Sequence, residues 1–421
     1  MTDEPMTDEP MTDELGTALR GALATAAREA PAVRPGLLEA VETAHTRRRR
    51  RRVAAAALGT ALLLGGTGAI GAVARSGDGP PPVAAPGALE PVPADGLGTP
   101  VKVRERWPDA VRTVPGRLPG GTALHPVALL DGDVLVGATW ASLQRPDELW
   151  SYDLGTGRAD LITDIVIPRG SRIFASDFTI ARGQVVWWLS YRAGGRDTVE
   201  VWGAPLAGGP ARKITGLPGN DVTALLIDGD DVVMGAGGAV YRAPLAGGAP
   251  AKVPGTDGFS IVAWPWIGSP ASREGGVGTI RFESLRNLAT GERRDARLAP
   301  FKGAWSCDVT WCVGGPASGV TYRGDMKTAV QSRDGKAGRT LPDTPLGAVQ
   351  ELIYGRYLAY FPGGLARTKT HVLYDVESGE LLDTGIRRTN EVMGAARNER
   401  DPQHFFTTRS GTVLLDLSKI R

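Results

Sequence analysis

The chain has 421 residues, with 57 glycines, 31 prolines and a net charge of +2. That length admits one large repeat domain with appendages, or roughly two or three ordinary domains. Near-neutral charge excludes the general electrostatic footprint of a nucleic-acid binder, and abundant glycine and proline suit an all-β protein with many tight turns.

Only 8 of the 48 basic residues are lysine, so arginine richness belongs to the whole chain and one surface arginine carries little weight. The charge is uneven along the chain. Residues 1–13 repeat Met-Thr-Asp-Glu, an acidic tail too poor in apolar side chains to fold. Leu15, Leu19, Leu23 and Ala26 then recur at helical spacing within 14–52, a short cytoplasmic helical segment that ends in the run Arg47–Arg52. A helix of this length is weak by itself. It serves as a spacer on one reading and as a docking element for a cytoplasmic regulator on the other.

Residues 53–74 carry no charge and are long enough to cross a bilayer as a helix. The arginines before them place the N-terminus in the cytoplasm and the rest outside. Ala72-Val73-Ala74 fits a signal-peptidase site, but the preceding segment is too long for an ordinary signal peptide. A buried soluble helix does not explain the arginine run. Within the span, Gly66-Thr-Gly68-Ala-Ile-Gly71 matches the dinucleotide fingerprint formally, yet it lacks the strand before it and the acidic residue after it. Small residues that let membrane helices approach closely explain it better. Residues 75–100, rich in glycine and proline, read as an extended linker.

From 101 to 421 a hairpin phrase recurs. It reads Asp153-Leu-Gly-Thr-Gly157, Pro205-Leu-Ala-Gly-Gly209, Pro244-Leu-Ala-Gly-Gly248, Asn287-Leu-Ala-Thr-Gly291, Ser332-Arg-Asp-Gly335, Asp375-Val-Glu-Ser-Gly379 and, cut short, Asp416-Leu-Ser-Lys419. First residues lie 52, 39, 43, 45, 43 and 41 apart. A period of ~40–45 residues with four strands each marks a β-propeller. Apolar runs such as 128–137 and 224–235 are nearly continuous, as strands buried on both faces require. The seventh phrase runs into the C-terminus without an outer strand, and 110–119 resembles the strand it lacks. An N-terminal strand closing the last blade therefore predicts an all-β, seven-bladed propeller, preceded by a single transmembrane helix. Six or eight blades remain if one unit is misread, and 267–278 is where the spacing is loosest.

Cys307 and Cys312 are too few ligands for a structural zinc. On a strand–turn–strand they face one another, as a cross-strand disulfide requires; free thiols in a cytosolic blade are the other reading, and compartment decides between them. The four histidines are scattered, no metal or cofactor motif occurs, and no nucleophile elbow is present. The loops between second and third strands should share one rim and carry Arg145, Arg192, Arg196, Arg273, Arg323, Arg367 and Lys369. Converging arginines bind anionic polymers or phosphate-bearing ligands. Acidic neighbours Asp147, Asp197, Glu274 and Asp325 argue instead for solvated loop charges. Trp264-Pro-Trp266 reads as an aromatic ligand platform or, more simply, as core aromatics at a blade edge.

With these residues in view, the chain resembles the TolB-like, YncE-like superfamily of extracytoplasmic propellers, in the membrane-anchored form of high-GC Gram-positive bacteria. The Thr310-Trp311-Cys312 hairpin, the basic run and the single span carry the likeness. It implies architecture and no catalytic residues. The expected function is a non-catalytic ligand- or protein-binding module at the cell envelope, with the membrane as a partner, no nucleic acid and no cofactor. The alternatives are a propeller hydrolase or lyase acting on a saccharide or peptide, and a transmembrane signalling protein.

Overall fold

The computed structural model describes residues 87–421, apart from 132, 143–144, 168–173, 176–177, 220–221, 272–277, 318–326, 343–350, 361–368, 389–400 and 409–410. All of these belong to the second of the two units into which the chain divides, Pro82–Arg421. The expected tail, cytoplasmic segment and span at 53–74 lie outside the described residues. Among the described residues no helix is long and apolar enough to cross a membrane.

The described strands form seven sheets, built almost wholly from antiparallel neighbours. Sheet 1 runs His125–Leu130, Val134–Ser142, Arg145–Asp153, Ala159–Asp164. Sheets 2 to 5 repeat the plan along the chain, starting at Phe174, Ala224, Ser260 and Ala304. Sheet 6 holds Tyr357–Tyr360, Thr370–Asp375 and Leu381–Arg387, which match the second, third and outer strands of the plan, with Val101–Lys102 beside them. Sheet 7 joins Gln403–Thr408 and Gly411–Asp416 to an N-terminal strand. The phrases led to an expectation of seven blades; six sheets hold four or more strands, and the seventh holds three described ones.

Consecutive residues of one strand explain why the sheets pack as a β-propeller. Leu135 packs toward sheet 7 while Val136 packs toward sheet 2. Val185 faces sheet 1 and Val186 faces sheet 3. Val232 and Val233 divide likewise between sheets 2 and 4, and Tyr357 and Leu358 between sheets 7 and 5. Side chains alternate across a strand, so a sheet with apolar residues at successive positions must be covered on both faces. The core is accordingly a chain of clusters, each shared by two neighbouring sheets. The last, in which Val114, Phe405 and Leu414 meet Leu124 and Leu135, joins sheet 7 to sheet 1.

The closing strand comes from the N-terminal side, as expected. Three short strands precede sheet 1: β1 (Glu90–Pro91), β2 (Val101–Lys102) and β3 (Val111–Val114). β3 pairs antiparallel with Gly411–Asp416, Val111 opposite Leu415 and Val114 opposite Thr412. The two before it extend the expectation. β1 lies parallel to the outer strand of sheet 5, and β2 lies parallel to the outer strand of sheet 6. Residues 87–100, the end of the expected linker, thus run along the outside of the ring before β3 closes it.

The hairpin phrases join third and fourth strands, and their residue types follow from turn chemistry. The Asp153 carboxylate accepts from the backbone N–H groups of Gly155 and Thr156, both at 2.8 Å. Asn287 does the same for Ala289 and Thr290, at 2.9 and 3.1 Å. Each turn ends on a glycine with positive φ, 73° at Gly157 and 75° at Gly291, where a side chain is disfavoured.

The fifth phrase departs from this rule because Arg333 points inward. It is buried and donates to the carbonyls of Phe282, Glu283 and Asp308 at 2.7 to 2.8 Å. Burial pulls its guanidinium down to about 10, with Asp308 and Asp295 opposing, so it stays charged at neutral pH. It pins the outer turn of sheet 5 to sheet 4.

Burial acts on the histidines in the opposite functional sense. His371, whose ring is tilted 45° to that of Phe406 with centres 4.8 Å apart, is pushed down to about 4 by burial and by the Arg388 charge. His404 and His125 are also lowered by burial.

Two outcomes follow from this packing. Arg333→Ala leaves buried carbonyls without donors and lowers stability by about 3 kcal/mol or more in urea unfolding. Acidification from pH 6.5, the ordinary imidazole value, to about 4 lowers stability progressively, because the unfolded chain binds a proton that folded His371 refuses until the end of that window. Melting temperatures across that range should show a shallower slope for His371→Gln, with His404 and His125 retaining part of it.

Candidate functional site

The rim expected to gather arginines lies at the ends where second strands turn into third strands. Arg192 and Arg196 flank one such turn in sheet 2, and both are exposed. Arg192 donates to the Gly195 carbonyl at 3.2 Å and lies 3.7 Å from the Asp197 carboxylate, so its charge is answered within its own hairpin. Arg145 begins the third strand of sheet 1, and Lys369 stands exposed just before the third strand of sheet 6. Arg273, Arg323 and Arg367 lie outside the described residues. Only Arg192 and Arg196 are brought together among those described.

A cavity of about 600 Å³ opens at the opposite end of the sheets, between sheets 3 and 4. Asp228 ends the first strand of sheet 3, and Arg242 sits on the third. Trp264 lies in the first turn of sheet 4, and Arg286 and Asn287 end the third strand of that sheet. Val253, Pro254 and Leu288 add apolar wall. A pocket of this volume, with mainly apolar walls and a few placed polar groups, is the usual form of a small-molecule site.

The two arginines are held differently. Arg242 donates through Nε to Asp231 at 3.0 Å and through Nη2 to Asp228 at 2.9 Å. Its guanidinium carbon lies 5.9 Å from the centre of the Trp264 ring, within cation–π range. Arg286 donates through Nη2 to the Gly255 carbonyl at 2.6 Å and lies over Phe259. Its Nε is buried and has no acceptor among the described residues. Gly255 has φ +67°, a backbone conformation that disfavours a side chain. The phrase of sheet 4 is tied down by Leu288, whose N–H donates to the Pro265 carbonyl at 3.0 Å.

Sequence reasoning reached this site through one residue, Trp264. Trp266 is buried as a core aromatic, whereas its neighbour lines the cavity. Asp228 stands before a glycine, as turn residues do, and Arg286 beside a hairpin phrase, so neither position signals a site by itself.

A second charged cluster is structural. Glu200 is buried and accepts from Lys213 at 2.6 Å and Trp202 at 3.2 Å. Burial raises its carboxyl, but bonds from Lys213, Tyr191 and Trp202 outweigh that and hold it below the usual range. Burial and Glu200 push the Tyr191 hydroxyl up to about 12. Among the described residues no group of three or more His, Cys, Asp or Glu is placed to hold a metal.

Cys307 and Cys312 form a disulfide between directly paired residues of the first two strands of sheet 5. Both are buried in the cluster shared with sheet 4.

No family model matches the chain, and no curated protein matches it. Solved structures do. The β-propeller domain of the trilobed protease from Pyrococcus furiosus is 13% identical, with 70% of this chain and 90% of that one covered and a TM-score of 0.37. An oligogalacturonate lyase from Vibrio parahaemolyticus is 11% identical over 67% of this chain and 74% of that one, with a TM-score of 0.35. The extracellular domain of a putative one-component system from B. thetaiotaomicron is 11% identical, over 72% of this chain and 40% of that one, with a TM-score of 0.37. At these identities the likeness concerns fold alone.

The double change Cys307→Ser and Cys312→Ser, or reduction of the wild type, lowers stability by about 2 kcal/mol in the chain-entropy model. Urea unfolding with and without dithiothreitol measures this, and the double variant should not respond to reductant.

Proposed function

We propose that the chain is a single-pass membrane protein of the TolB-like, YncE-like type, with a seven-bladed propeller held outside the cell. It binds a ligand or protein at the envelope and performs no catalysis. The cavity between sheets 3 and 4 carries the binding part of this reading. It is large enough for a small molecule, it has aromatic and apolar walls, and among the described residues Arg286 there pairs with no carboxylate. The location rests on separate observations. Six arginines precede an uncharged stretch at 53–74, which matches the positive-inside rule. The disulfide fits an oxidising compartment. At the cavity mouth Arg242 pairs with Asp228 and Asp231, whereas Arg286 makes no ion pair among the described residues.

Thiol accounting on intact cells tests the topology. Full-length protein, denatured without reductant and treated with maleimide-polyethylene glycol, should gain no added mass, and should gain two adducts after reduction. Trypsin added to the same cells should remove the propeller. Labelling before reduction together with protection from trypsin would place the propeller in the cytoplasm and overturn the reading.

A further inference from the structure

We infer that the cavity between sheets 3 and 4 takes an extended peptide of a partner protein, with a branched aliphatic residue inserted and a basic residue two positions before it. This deepens the binding-module reading and rests on it. The two preceding interfaces are sealed from within. The outer strand of sheet 1 carries one extra residue, Ile162, between the pairs Leu149–Thr163 and Trp150–Leu161. The outer strand of sheet 2 carries Ile214 in the same way, between Val201–Thr215 and Trp202–Lys213. Such a bulge takes its residue out of the regular ladder. Both isoleucines are buried, in the clusters that join sheet 1 to sheet 2 and sheet 2 to sheet 3. Their carbonyls accept from Gly209 and Gly248 of the next phrase, each at 3.0 Å.

Sheet 3 lacks this plug. Tyr241 pairs with Lys252, and the next N–H, of Val253, donates straight to the Val240 carbonyl at 2.8 Å, so no residue bulges between them. In sheet 2, Ile214 lies directly over Gly203, where a Cβ would stand 2.8 Å from its Cδ1. The matching position of sheet 3 holds Arg242, whose guanidinium is drawn aside to Asp228 and Asp231 of its own sheet. Sheet 2 also clamps the next phrase, for Arg212 donates to the carbonyls of Leu245 and Ala246 at 2.7 and 2.9 Å. Ala251 stands where Arg212 would. The corresponding carbonyls, of Leu288 and Ala289, accept no hydrogen bond among the described residues, and both residues line the cavity. The open volume of about 600 Å³ is thus the place of a missing isoleucine and a missing arginine. It continues the apolar seam through Val253 and Leu288.

A strand from outside that supplies both groups completes the pattern. A branched aliphatic side chain gains by leaving water for the seam. A guanidinium or ammonium two residues earlier gives the two carbonyls their donors. The formal charges of Asp228, Asp231, Arg242 and Arg286 sum to zero, so a cation is not repelled. An acyl chain would fill the volume and leave the carbonyls without donors.

Fluorescence anisotropy on full-length protein tests this with a labelled peptide that copies Arg212–Gly216, and with hexanoate as competitor. The peptide should bind, with affinity falling about tenfold or more when its isoleucine is replaced by glycine. Replacing its arginine by alanine should cost about threefold. Hexanoate should not displace it. Ala289→Trp, at an exposed position of the wall, should abolish binding. Inserting an isoleucine between Lys252 and Val253, together with Arg242→Gly, rebuilds the sheet 2 pattern. That variant should lose binding and melt at a higher temperature. Thermal melts establish that each variant is folded, and Ala289→Trp carries the test should the insertion unfold. The paired rim change Arg192→Gln and Arg196→Gln should alter nothing.

No rise in anisotropy at the highest attainable protein concentration overturns the inference. So does equal binding of the glycine peptide, binding undiminished by Ala289→Trp, or displacement by hexanoate. Shortening of the peptide in mass spectrometry would instead retire the non-catalytic reading while leaving recognition of the peptide in place.

Discussion

Everything in this fold depends on sheets whose two faces are both apolar. Such a sheet is satisfied only between two others, so a row of them has unsatisfied ends until it bends round on itself. Leu135 and Val136 state the constraint in two residues, one committed to each neighbour. Ring closure is therefore a packing requirement, and the single feature that achieves it is the meeting of sheet 7 with sheet 1. In that meeting β3 pairs with Gly411–Asp416 and stands as the outer described strand of sheet 7.

The route to β3 gives the N-terminal side a mechanical role. β1 and β2 run parallel along the outer strands of sheets 5 and 6 before the chain reaches sheet 7. Exposed edges invite unwanted pairing, and these short strands cover two of them. A comparable addition occurs at the inner edge of sheet 5, where Ile280–Arg281, from the long second-to-third connection of sheet 4, pairs with Ala304–Cys307. Arg281 forms an ion pair with Glu351 there, and Arg333 binds sheets 4 and 5 from the outside. Sheet 5, which holds the disulfide, is thus the most heavily cross-tied part of the described ring.

The cavity sits one interface away, between sheets 3 and 4. Among the described residues, the cluster shared by these two sheets has the fewest buried members, Val233, Val240 and Ile267. Around it, partly buried groups such as Trp264 and Phe259 fill the periphery. A thinner apolar seam leaves room for polar groups at its mouth, and Arg242 and Arg286 occupy that place.

Local chemistry was readable from the chain alone. Asp153, Asn287 and Asp375 announce turns because their side chains cap backbone N–H groups two or three residues on, and glycines end those turns because φ must be positive. Continuous apolar runs announce sheets covered on both faces, and the spacing of Cys307 and Cys312 announces a cross-strand pair. Even the borrowed strand could be found, since a missing outer strand and a spare one share a pattern. What only the tertiary structure decided is which residues meet across two sheets. Asp228, Trp264 and Arg286 come from separate strands and turns, and no local periodicity relates them. Their juxtaposition depends on the angle and depth at which sheet 3 meets sheet 4, which the side chains of both sheets set together. For the same reason β1 and β2 went unforeseen: strands of two residues carry too little pattern to be read, and their pairing is dictated by the edges they find.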